Sequence, residues 1–164
     1  MFKSLTLCML VLCCLAACTR LPDIQGKGSE MFQGVWATDT AATQSKLLTY
    51  SQHTFKITCD SFYLDLITHS KANYYSDSCF NNGVWKEYAK GIYAVRNDSI
   101  FFVGTYTKAN YKQKITGCYQ IGQYIKSFKI LSSSAEKIVL ESSDNQRTLN
   151  LLLKEKITCV PQPL

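Results

Sequence analysis

The chain predicts an all-β domain, an antiparallel meander closing into a barrel of about eight to nine short strands with at most a short helical turn. Three observations carry this. From residue 47 onward apolar and polar residues alternate with a period of two, the spacing at which every second side chain of a strand meets a core. β-branched and aromatic residues fill the alternating segments, and turn signals separate them at intervals of roughly 8 to 14 residues. Helical periodicity is nearly absent.

The first strand is expected at residues 34–38, where Gly34 and Trp36 stand one residue apart. Residues 53–58 put Phe55 and Ile57 on one face. Residues 62–68 put Phe62, Leu64 and Leu66 on one face and Tyr63, Asp65 and Ile67 on the other. Between these two segments Cys59-Asp60-Ser61 is a tight polar turn. The device recurs where residues 93–96 turn through Asn97-Asp98 into 99–103. Asp and Asn favour such corners because their side chains bond backbone amides two residues on. Further strands are expected at 112–119, 124–131, 136–142 and 147–154, broken at Gly122, at the serines 132–134 and at 143–145. Leu149, Leu151 and Leu153 face inward in the last strand. Residues 41–46 fit one helical turn, and 71–83 is expected as the longest loop.

Residues 1–17 read as a targeting segment, set apart from the fold. Lys3 supplies the charge, and the apolar run 5–17 is too short for a membrane-spanning helix of about 20 residues. It ends in Leu15-Ala16-Ala17-Cys18, which fits a bacterial lipobox: small residues suit the signal peptidase, and the Cys18 thiol takes the diacylglyceryl group. Cleavage before Cys18 removes 17 of the 164 residues and leaves 147. Acylation of the amine as well gives three chains, beyond the two signals that stable anchoring takes. Position 19 is Thr rather than the Asp of an inner-membrane retention signal, so the expectation is an outer-membrane lipoprotein of the bacterial envelope. Residues 18–30, with Pro22, Gly26 and Gly28, read as a flexible tether, and 31–164 as a single barrel domain. Loss of Lys3 leaves 17 basic against 12 acidic residues, dispersed along the chain. The expected partner is the membrane, through Cys18; nucleic acid is not expected in this compartment.

Four cysteines remain in the exported domain: Cys59, Cys79, Cys118 and Cys159. An even number in an oxidising compartment predicts two disulfides, among three possible pairings. Sequential pairing, Cys59 with Cys79 and Cys118 with Cys159, is the expectation. No C-x-x-C pair exists and neither His53 nor His69 flanks the cysteines at ligand spacing, so no metal is assigned.

Catalytic signatures are sparse. His53 and His69 are the sole candidates for a triad base, no Gly-x-Ser-x-Gly elbow exists, and strand histidines are read as solvent-facing. Asp60, Asp65, Asp77 and Glu87 qualify as paired carboxylates by number only. No catalytic residue and no cofactor is assigned. Tyrosine is the remaining signal, with 10 in the chain. Its polar tip suits a pocket mouth or a recognition surface. The loop around Tyr74, Tyr75 and Phe80 is the expected binding rim, with Tyr63, Tyr93 and Tyr106 as further candidates.

Gly34-Val35-Trp36 at the head of an all-β meander of this length resembles the lipocalin-like (calycin) barrels, whose first strand begins with Gly-x-Trp. The resemblance spans residues 32–158 as architecture and three residues as motif. It implies that Trp36 plugs one end of the barrel beneath a basic residue of the last strand, Arg147 or Lys154. It also implies a non-catalytic barrel binding a small apolar ligand, with a protein-binding accessory or inhibitor acting through loop 73–80 as the alternative. The stretch 104–111 lacks that family's middle Thr-Asp-Tyr motif. Some similar sequences carry the name fumarate hydratase. The Gly-Ser-Ser loop and the three-cysteine cluster of the two hydratase classes have no counterpart in Ser132-Ser133-Ser134 or in exported cysteines.

Overall fold

Alternation becomes a closed wall. In the computed structural model, which describes residues 24–39 and 47–163, the strands are β1 (Gly34–Thr38), β2 (Thr49–Thr58), β3 (Ser61–Ser70), β4 (Val84–Arg96), β5 (Ser99–Thr107), β6 (Gln123–Ser133), β7 (Lys137–Ser142) and β8 (Thr148–Lys156). Each pairs antiparallel with its sequence neighbour, and β1 pairs with β8 to close the barrel. Closure satisfies the backbone of both edge strands, which would otherwise invite another chain. Phe55 and Ile57, Phe62 and Leu64, and Leu149 and Leu151 are buried as expected, and Ile100, Phe102, Ile138 and Leu140 join them in the core. Each such side chain stabilises the fold by about 1.5–3 kcal/mol through burial. Leu66 and Leu153 pack against this core at its margin.

The two tight corners join β2 to β3 and β4 to β5, with Cys59 and Asn97 in the left-handed region at φ 53° and 54°. They lie at one end of the barrel, which the N-terminal segment closes. A 3-10 turn (Glu30–Phe32) leads into β1. Trp36 plugs this region at 1% exposure, its Nε1 donating to the Phe32 carbonyl at 2.7 Å. The need for glycine two residues earlier is steric. A Cβ on Gly34 would lie 2.6 Å from Leu153 Cδ1, 2.7 Å from the Glu155 carbonyl and 3.4 Å from Trp36 Nε1. The Gly-x-Trp pair is thus one packing solution: the missing side chain lets β8 and the indole share the space.

Several expectations need correction. Residues 112–119 form no strand; they lie in the β5–β6 connection, 108–122, whose one described β-bridge joins Thr107 to Gln113. Ile115 there is 70% exposed and Gly117 has φ 116°, so the segment has no inward face to bury. The strand number is therefore eight, and 108–122 exceeds 71–83 as the longest described connection. The latter holds a short helix (Asp77–Phe80) and a 3-10 turn (Asn81–Gly83). Residues 24–30 are packed rather than tethering: Gly26 N bonds Asp60 Oδ2 at 2.9 Å, Ser29 N bonds Tyr93 Oη at 2.8 Å, and Gln25 N bonds the Gln162 carbonyl at 2.9 Å. Cys18 and residues 41–46 lie outside the described residues.

The disulfides are Cys59–Cys159 and Cys79–Cys118, with Cα separations of 4.8 and 5.5 Å, not the sequential pairs. The reason is strand length. Cys59 sits in the corner before β3 and Cys79 in the connection after it, so about 30 Å of extended chain separates them, against the roughly 4.4–6.8 Å that a disulfide spans between Cα atoms.

Candidate functional site: the open end of the barrel

At the end opposite Trp36 the barrel contains a cavity of about 340 Å³. Strand ends position its walls. Leu66, Phe128 and Leu149 supply apolar surface; Tyr106 and Tyr124, whose rings meet edge to face at 5.5 Å, supply an aromatic side. Lys126, Asp144 and Arg147 stand at the rim. Lys126 is paired with Asp144 at 2.5 Å, whereas Arg147 makes no ion pair among the described residues.

His53 is the unexpected member. It lies two residues before Phe55 on the inward face of β2, stacked on that ring at 5.9 Å, and lines the cavity. Sequence reading had it facing solvent; the period of two carried backward from Ile57 and Phe55 puts it inside. Its backbone is held by Thr38 of β1, whose Oγ1 accepts from His53 N at 2.8 Å. Nδ1 is buried with no hydrogen-bond partner among the described residues. Burial pushes the imidazole down to about 4, with the Ser51 backbone bond opposing in part. The ring is therefore neutral near pH 7. Burial also raises the Tyr106 phenol to about 12, reinforced by Glu87 and Tyr75, and raises Tyr124 still further. The cavity interior thus offers neutral hydrogen-bonding groups, with charge confined to the rim.

The lowered His53 value fixes a pH dependence. The unfolded chain takes up the proton near 6.5 and the folded chain only near 4, so stability is full above about pH 6.5 and falls as pH drops towards 4. The loss is on the order of 3 kcal/mol. Urea unfolding of wild type and His53→Phe across this range should show the extra slope in wild type alone; parallel slopes would refute the assignment.

Two connections cover one side of the opening. Cys79–Cys118 joins 71–83 to 108–122, and Tyr119 Oη donates to the Cys79 carbonyl. Trp85 and Tyr119 stack at 5.4 Å, with Tyr75 edge-on to both at 5.3 and 5.2 Å. Buried Glu87 accepts from Trp85 Nε1 and from Gln120 N, each at 3.1 Å, and so fixes the second loop to β4. Tyr111 anchors the outside of that loop by donating to Asp65 Oδ1 and packing on Tyr63 at 5.0 Å.

The structure divides the tyrosines that the sequence grouped. Tyr106 lines the cavity. Tyr74 is exposed at 61%, whereas Tyr75 and Phe80 are half-buried within the covering loop. Tyr63 faces outward under Tyr111, and Tyr93 belongs to the closed end, where it holds Ser29. Neither basic candidate sits over Trp36: Arg147 is at the opposite rim and Lys154 is exposed. The residue of β8 that reaches the N-terminal plug is Lys156, whose Nζ donates to the Glu30 carbonyl at 2.9 Å. The described cation–ring contact is Lys114 over Tyr119 at 5.6 Å. Lys126 is among the cavity residues that sequence reasoning missed, and His53 it placed on the wrong face, although both share parity with buried neighbours. Compared with protein-family models, curated proteins and solved structures, the chain finds no match.

Proposed function

We propose that this chain is a lipoprotein of the bacterial envelope, anchored through Cys18 to the outer membrane, whose lipocalin-like barrel binds a small, largely apolar molecule at its open end. The observation that carries the reading is the cavity itself, at about 340 Å³ within the size range of small-molecule sites and with an unpartnered His53 Nδ1 in its wall. A buried imidazole nitrogen without a partner costs about 1–3 kcal/mol, which a ligand hydroxyl hydrogen-bonded to it would relieve. The apolar body then lies against Leu66, Phe128 and Leu149. A ligand of this class has one neutral hydrogen-bonding group, such as a hydroxyl, on a hydrocarbon frame.

Native mass spectrometry of the chain from residue 19, purified from an oxidising periplasm, tests this with 1-decanol and decane as probes. Wild type should retain decanol over decane by about tenfold, the worth of one hydrogen bond, and His53→Phe should lose that preference. Absence of any adduct in wild type would defeat the reading.

One observation favours a second reading as a protein-binding module. Ile92, Val103 and Ile125 are paired neighbours across β4, β5 and β6, and are exposed at 59%, 49% and 58% on the outer wall. With Tyr74 on the covering loop, they offer apolar surface to another envelope protein. A barrel that takes up neither probe, and loses a co-purifying protein on Val103→Lys, would favour this alternative.

A further inference from the structure

The closed end of the barrel carries the point from which the chain leads back to Cys18. Ile24 bridges Pro163, Gln25 Nε2 bonds Ser61 Oγ at 2.6 Å, and Gly26 N bonds Asp60 Oδ2. Ser61 and Asp60 belong to the β2–β3 corner. The tail that meets Ile24 is itself tied to that corner through Cys59–Cys159. Gly28, at φ 64°, lies so close that a Cβ there would sit 1.7 Å from the Cys59 carbonyl oxygen. The exit point is therefore fixed to the barrel and is not free to swing round it.

Only six residues of chain lead from Ile24 back to Cys18. Fully extended, they reach about 20 Å. β3 (Ser61–Ser70) runs the length of the wall. At about 3.3 Å per residue and a tilt near 40°, that wall is about 23 Å tall. The covering connections and the 143–146 turn project beyond it at the open end. With the cavity facing the bilayer, a fully stretched tether would still fall short of the lipid. With the closed end down, the same six residues need only a relaxed path. This end also presents exposed apolar side chains: Ile24 at 59%, Met31 at 53% and Val160 at 68%.

We propose that the closed end rests on the bilayer that holds the anchor, through Ile24, Met31 and Val160, and that the cavity opens away from that membrane. The proposal rests on lipidation of Cys18. It follows that ligand exchanges with the aqueous side or with a facing protein, and is not drawn out of the anchoring leaflet.

The test uses the full lipidated protein in vesicles of phosphatidylethanolamine and phosphatidylglycerol, with the photo-crosslinker p-benzoylphenylalanine placed singly at Val160, at Ala135 in the β6–β7 turn, or at Asn145 on the cavity rim. Val160 and Ala135 should give phospholipid adducts, and Asn145 should give none above background. Adducts at Asn145 matching those at Val160 would overturn the orientation. A Gly/Ser insert after Arg20 that triples the tether should erase the difference between positions, and persistence of the difference would show that tether length does not set it. Intact mass of the wild-type protein reads the premise separately: without acyl chains on Cys18 the anchor, and the orientation with it, falls.

Discussion

Trp36→Ala is expected to cost about 3–5 kcal/mol of folding stability, the largest effect of any single core substitution in this barrel. Trp36 is 1% exposed, stands opposite Phe55 of β2 and Leu153 of β8, and bonds the Phe32 carbonyl. Truncation opens a cavity where three strands meet the N-terminal segment and orphans a buried acceptor. Urea unfolding followed by tyrosine fluorescence would measure the loss, as would a fall of roughly 10–15 °C in midpoint temperature. Trp36→Phe separates the two contributions: it keeps most of the packing, loses the hydrogen bond, and should cost about 1–2 kcal/mol. A loss under 1 kcal/mol for Trp36→Ala would mean that the indole does not close the barrel.

Removing Cys59–Cys159 by the double substitution Cys59→Ser and Cys159→Ser should destabilise by a similar amount, about 3–5 kcal/mol. The bond closes a loop with a sequence separation of 100, so it removes more freedom from the unfolded chain than Cys79–Cys118, whose separation is 39. It also ties down the tail whose Gln162 carbonyl receives Gln25 N, so its loss releases both chain ends together. The comparison variant, Cys79→Ser with Cys118→Ser, should lower amide protection chiefly in 71–83 and 108–122, since it frees a cover rather than the wall. Equal loss of protection at residues 24–30 in both variants would contradict this division. Non-reducing digestion and mass spectrometry check the pairing itself.

Most strand positions, apart from the expected strand at 112–119 and the first half of β4, were legible in the sequence, as were the inward parity of Phe55, Phe62 and Leu149 and the two tight corners, because each depends on near neighbours. A period of two tells Phe62 from Tyr63 and Leu149 from Asn150 without any knowledge of the rest of the chain, and Asp or Asn at a corner acts through its own backbone. Gly34 and Trp36 were legible as a pair for the same reason.

What tertiary structure alone decided was which distant residues meet. Cys59 takes Cys159 because the barrel closes β8 on β1 and brings the tail back to the β2–β3 corner, while β3 carries Cys79 to the far end. His53 becomes a neutral imidazole, its Nδ1 without a partner among the described residues, only when the barrel closes round it. Tyr63, Tyr93 and Tyr106 read alike in sequence and end on an outer wall, a closed end and a cavity. Alternation fixes the face of a residue within its own strand; height along the barrel and the identity of neighbours across it depend on register and closure, which no local stretch encodes.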